Sequence, residues 1–271
     1  MLRFPNALLR YWHLLSLDAP TVAALWCWAF GRAARLPLAP WLPAALALGT
    51  WLFYVVDRML DARLSPQATL QERHLFHDRY RRWFLVAAIP VTLALTMLIA
   101  RMPRSLLLSY FVLGVFSLLY LGLVHLPSRL RGRSLSHFPK EFVIALLFAA
   151  ASALPAWDEA RRRAAGMPRP HPLLLLCPLF AVLCWLNCIA IEDWEQRRDG
   201  GRLRWLSGVA IAVGCLILPD LANHPARWLA VAAVLSASLF LLLDRSRLAA
   251  GGRRIAADLA LLTPLLIVCC R

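Results

Sequence analysis

Long apolar blocks recur along this chain, each bounded by charge or proline, and no other feature constrains the fold as tightly. A helix needs about 17–25 apolar residues to cross a bilayer core, where every backbone polar group must be satisfied within the protein. The blocks predict spans over 17–36, 41–60, 83–100, 105–125, 138–155, 172–191, 205–219, 226–243 and 255–270. The predicted fold class is all-α: a polytopic membrane bundle of about nine transmembrane helices, one domain over 1–271. Composition agrees, because 61% hydrophobic and 17% charged residues leave too little polar surface for a soluble domain of this length.

The formal charge of +15 does not point to nucleic acid. The basic residues sit in short clusters between apolar blocks, where they orient spans and meet anionic headgroups. With the N-terminus placed inside, 20 of the 30 basic residues fall on the cytoplasmic side and 10 outside. That bias predicts N-terminus in and C-terminus out, although the expected outside loop 156–171 carries Arg161, Arg162, Arg163 and Arg169. Tryptophans near the span ends (Trp12, Trp41, Trp83, Trp157, Trp194, Trp205, Trp228) fit an interfacial belt. The seven cysteines form no CxxC pair and read as buried small hydrophobes. No cleavable leader is expected from Met1–His13, and segments 61–82 and 156–171 are the longest loops, with room for short interfacial helices.

Acidic residues gather at ends predicted to be cytoplasmic: Asp57 and Asp61 close the second span, and Glu192, Asp193 and Glu195 close the sixth. Asp57 and Asp61 share a helix face, where like charges repel unless a cation lies between them. A Mg²⁺ bridging the carboxylates to a phosphate would serve; so would ion pairs to Arg58 and Arg63. Lys140, the only lysine, opens the fifth span and reads as a phosphate contact or a snorkelling side chain. The basic stretch Gln71–Arg82 reads as a cap over an anionic headgroup or an amphipathic helix on lipid. Its His74 and His77 have metal-ligand spacing but no evident third ligand. Asp18 and Asp258 are expected to N-cap their helices, Gly200-Gly201 to end the sixth, and the single histidines, His13 among them, to be interfacial.

These stretches resemble the UbiA superfamily of intramembrane prenyltransferases. That family's first cluster reads Asn-Asp-x-x-Asp-x-x-x-Asp; here Asp57 and Asp61 keep its last two aspartates, with Phe53 and Tyr54 in place of the first pair. Its second cluster has two aspartates four apart and a glycine four further on. Asp193 and Gly201 match, while Arg197 stands where the second aspartate belongs. His137-Phe138-Pro139-Lys140-Glu141-Phe142 resembles the lysine-bearing start of the fifth span.

The resemblance implies transfer of a prenyl group from an isoprenoid diphosphate to an aromatic or other lipophilic acceptor, in a bacterial cytoplasmic membrane. Asp57, Asp61 and Asp193 would be catalytic and hold Mg²⁺. Lys140, Arg197, Arg63, Arg73, Tyr54 and Glu192 would bind substrate. Fewer ions than in typical relatives are expected, because exchanging an aspartate for Arg197 changes the local charge by as much as one Mg²⁺. A non-catalytic isoprenoid or lipid binder and a small transporter are the alternatives.

Overall fold

The computed structural model describes residues 7–64, 71–125, 140–163, 172–196 and 198–268. All regular structure among them is helical: α1 (Ala7–Leu14), α2 (Asp18–Ala33), α3 (Trp41–Leu64), α4 (Glu72–Arg79), α5 (Arg81–Ile99), α6 (Arg104–His125), α7 (Lys140–Arg163), α8 (Leu173–Glu195), α9 (Gly201–Ile217), α10 (Arg227–Asp244), α11 (Ala250–Ala260) and α12 (Pro264–Val268). Every predicted span overlaps a helix. Five of them, α5, α6, α7, α8 and α10, are long and apolar enough to cross a membrane, and the pair α1–α2, bent by 85°, would add a sixth. The molecule is thus compatible with an integral membrane protein.

The other predicted spans fall short for visible reasons. α3 has 24 residues, but its last two turns carry Asp57, Arg58, Asp61 and Arg63. α9 has only 17 residues. The segment 255–270 breaks at 261–263 because Pro264 has no N–H and disfavours a helical residue before it. The exposed carbonyls of that break find donors: Trp26 Nε1 donates to Leu261 O (2.8 Å) and Ser236 Oγ to Ala260 O (2.7 Å). In the opposite sense, α7 runs to Arg163, well past its predicted end at 155. Arg162 and Arg163 pair with Asp158 and Glu159 one turn back at 2.6–3.2 Å, so part of the expected loop is a helix end whose basic residues complement its dipole.

α8 is the central column, packed on α7, α9, α10 and α11. Alanines 145, 149, 153, 156 and 160 of α7 are buried and let α2 and α8 approach closely. Trp26 stacks on Phe180 (centroids 4.0 Å apart), and Phe30 meets the same ring edge-on at 5.8 Å. Between α9 and α10 the contact is tighter still: a Cβ on Gly214 would lie 2.4 Å from Val234 Cγ2. α5 and α6 differ from the rest, because only 6% of each apolar stretch is buried. Trp83, Ile89, Met97, Phe111 and Leu118 stand exposed, a surface suited to lipid and not to water.

The helix ends predicted to face the cytoplasm meet at one end of the bundle. Arg10 of α1 pairs with Glu72 of α4, and Arg254 of α11 bonds Glu195 at the end of α8 (2.6 Å). Gly200 and Gly201 begin α9 and do not end α8, which closes at Glu195. A Cβ on Gly200 would press within 2.6 Å of the Asp244 carboxylate, so glycine is required there by close approach.

Candidate functional site

The site is built at that gathered end, beginning with the elbow between α1 and α2. Ser16 is buried with φ of 53°, an uncommon conformation for a residue with a side chain. This turn folds His13 back onto Asp18, five residues later, so that Nδ1 lies 2.7 Å from Asp18 Oδ2. From the far end of the chain, α11 brings Asp258 Oδ2 to 3.7 Å from the same nitrogen. Asn187 of α8 steadies it by donating to Asp258 Oδ1 at 3.0 Å. The capping expected of Asp258 therefore does not occur, since the residue lies eight places inside α11. Nor does Asp18 cap α2: Leu17 holds the N-cap position, and Asp18, the first helical residue, accepts from Ala19 N on Oδ1 at 2.9 Å and meets His13 on Oδ2.

Asp18, Asn187 and Asp258 line a chamber of about 90 Å³, together with Tyr54, Arg58, Arg73 and Arg254. Three guanidinium groups so close would repel each other in water-poor surroundings unless acids balance them. Arg58 sits 3.7 Å from Asp57 and 4.0 Å from Asp61, and its guanidinium lies 5.5 Å from the centre of the Tyr54 ring. Arg254 holds Glu195 and also bonds Gln71, while Arg73 Nε donates to His74 Nε2 at 3.2 Å. Even so, Arg58 Nε, Arg73 Nη1 and Arg254 Nε are buried with no hydrogen-bond partner among the described residues. A buried donor without a partner costs about 1–3 kcal/mol. The three arginines come from three elements and line the one chamber, where three guanidinium groups stand against the two carboxylates of Asp18 and Asp258, an excess of positive charge that suits an anion.

A second cavity, of about 500 Å³, adjoins the first between α3, α5, α6 and α7. Its walls are almost wholly apolar, including Leu46, Phe53, Leu95, Ile99, Phe111 and Leu147. Tyr54, Ile144 and Phe148 line both cavities, so the arginine chamber and the apolar one share a wall.

α4 covers the chamber from outside the spans. His77 is fully buried, with Nδ1 2.9 Å from Arg73 O and Nε2 3.4 Å from Ser16 Oγ, and His74 Nε2 lies 3.4 Å from Asp61 Oδ2. Burial first and the Arg58 charge second push each imidazole down to about 4, against an ordinary value of 6.5. Both are therefore neutral when α4 is docked. Because the folded value lies below the unfolded one, their contribution is complete above pH 6.5 and is lost as the pH falls through 4. Thermal unfolding scans and amide exchange over 72–79 should show α4 loosening across that window. A His74→Gln, His77→Gln double variant should flatten the dependence; an unchanged slope in it would exclude these histidines as its source.

The residues expected from sequence are dispersed. Tyr54 and Arg73 line the chamber. Asp57 and Asp61 flank Arg58 on α3, as the ion-pair reading has it, and Arg63 is exposed at the end of the same helix. Asp193 is buried beside Arg198 (4.0 Å) among the charges of Glu192, Arg202 and Asp244, and its Oδ2 has no hydrogen-bond partner. Glu192 accepts from Arg198 at 3.2 Å. Lys140 is exposed, 3.8 Å from Glu141, while Arg197 and 137–139 lie outside the described residues. His13, Asp18, Arg58, Asn187, Arg254 and Asp258 were not singled out for the site from the sequence. A signal existed for the last two, since Arg254 and Asp258 are ionisable groups one turn apart at the edge of an apolar segment. Comparison with known protein families, curated proteins and solved structures finds no match.

Proposed function

We propose that this protein is a UbiA-like intramembrane prenyltransferase that binds an isoprenoid diphosphate across the two adjoining cavities. The observation that carries this reading is the joining of a chamber lined by three arginines to a large apolar cavity through one shared wall. An amphiphile with a multiply charged head and a long apolar tail answers both halves at once. Arg58, Arg73 and Arg254 would grip the diphosphate, and the tail would lie between α3, α5, α6 and α7. All nine predicted segments would then cross a bacterial cytoplasmic membrane, with the N-terminus inside and the C-terminus outside.

In the proposed reaction the allylic C–O bond breaks and the diphosphate leaves with the electron pair. The lipophilic acceptor attacks the resulting carbocation and then loses a proton. Guanidinium groups aimed at the departing oxygens stabilise charge as it develops, which is where electrostatic preorganisation has most effect. Tyr54, between head and tail, would shield the cation from water. A Mg²⁺ shared by Asp57, Asp61 and Asp193 does not fit the residues present. Arg58 already lies against the first two, Asp193 stands beside Arg198, and these three aspartates are not among the described residues whose ligand atoms converge.

That misfit favours a second reading, a non-catalytic isoprenoid or lipid carrier. Incubating the protein in nanodiscs with farnesyl and geranylgeranyl diphosphates, aromatic acceptors and divalent cations decides between the two. Release of diphosphate above that of empty nanodiscs is expected. Tight binding without release establishes the carrier, and no binding at all sinks both.

A further inference from the structure

We infer that His13, Asp18 and Asp258 form a binding site for one first-row divalent cation, Mn²⁺ or Zn²⁺, in the wall of the arginine chamber. Their ligand atoms, one from each residue, all lie within 4.8 Å of one another. His13 Nδ1 is 2.7 Å from Asp18 Oδ2 and 3.7 Å from Asp258 Oδ2. Metal–ligand bonds of about 2.0–2.2 Å place neighbouring ligand atoms about 3–3.5 Å apart, so only small side-chain shifts are needed.

The carboxylates are already aimed. Each has Oδ1 fixed by an amide donor, Ala19 N at 2.9 Å for Asp18 and Asn187 Nδ2 at 3.0 Å for Asp258, which leaves both Oδ2 atoms facing His13. Donors that hold the far oxygen of a ligating carboxylate in this way orient ligands in metal sites. The chamber's arginines hold other groups, Arg58 between Asp57 and Asp61 and Arg254 on Glu195 and Gln71. Arg58 acts on Asp18, and Arg254 on Asp258, through space and without a hydrogen bond, so among the described residues His13 is the side chain in contact with both carboxylates. A further unmet group belongs to the same chamber, since Asn187 lines it and its Oδ1 is buried with no hydrogen-bond partner among the described residues.

One imidazole nitrogen with two carboxylate oxygens suits Mn²⁺ or Zn²⁺ better than Mg²⁺, which prefers an all-oxygen shell and retains its waters. On binding, the proton now shared between Nδ1 and Asp18 leaves to solvent, and the nitrogen lone pair takes its place on the metal. The coordination positions left open would face the chamber and its arginines.

The test uses the full chain in nanodiscs with no prenyl diphosphate, titrated with Mn²⁺ and followed by the loss of the free-ion paramagnetic signal. One Mn²⁺ per chain is expected, displaced by Zn²⁺. Asp18→Asn, Asp258→Asn and His13→Gln should each weaken binding at least about tenfold, and Asn187→Leu by about 10–100-fold. Elution profile and melting curve identify any variant that misfolds; His13→Gln, on the short outer helix α1, carries the test if Asp258→Asn does. Unchanged Mn²⁺ binding in the folded variants overturns the site. So does loss of binding in Asp57→Asn and Asp61→Asn with the cluster variants unaffected. Because no diphosphate is present, failure here leaves the prenyltransferase proposal standing, and failure of prenyl-diphosphate binding leaves this site standing.

Discussion

Gly114→Leu should weaken binding of a geranylgeranyl chain by about tenfold to a hundredfold while leaving the binding of inorganic diphosphate unchanged. Gly114 lines the apolar cavity, and a Cβ built on it meets nothing within 4 Å. The leucine therefore costs the folded protein little and occupies space that the tail would use. The penalty is steric. A displaced tail returns to lipid as apolar as the cavity, so no hydrophobic transfer energy is forfeited. Forcing extra methylenes into a filled space costs about 1–3 kcal/mol, which sets the range. Calorimetry with the two ligands, one with a tail and one without, separates cavity from chamber. Equal weakening of both would mean that the substitution disturbs the bundle; no weakening of either would place the tail elsewhere.

Arg73→Gln has the converse signature. It should weaken inorganic diphosphate and the prenylated ligand alike, by about 10–150-fold, because a hydrogen bond to a charged group is worth about 1.5–3 kcal/mol. Arg73 is the most telling of the three arginines, since its bond is to neutral His74 and not to an acid, so its removal strands no carboxylate. Arg58→Gln should lose as much affinity and also leave Asp57 and Asp61 without their shared guanidinium. Arg73→Lys keeps the charge but not the fork, and partial recovery is expected. Full affinity in Arg73→Gln, measured by calorimetry, would remove this residue from the anion site.

The helical class was legible because bilayer-length apolar blocks admit few other solutions, and every predicted span falls on a helix. The ends were less legible. α7 outruns its apolar block because Asp158, Glu159, Arg162 and Arg163 pair along one turn, a local interaction that hydropathy does not register. The candidate site was legible only in part. Tyr54 and Arg73 were anticipated from resemblance and charge, whereas Asp18 and Asp258 each looked like a cap when read within its own segment. Their meaning arises from contact between opposite ends of the chain, and spacing within one helix carries no information about that. Arg58 was read only as a partner for Asp57 and Asp61, the role it fills, although it also faces the chamber.

The long loop in sequence between Asp18 and Asp258 bears on biogenesis. Asp258 needs both Asn187 of α8 and His13 of α1, so its contacts await the docking of α11 on elements made much earlier. Contacts of such large sequence separation form late in folding. α11 acts as a keystone, since it alone supplies two of the chamber's charged groups, Arg254 and Asp258, one turn apart.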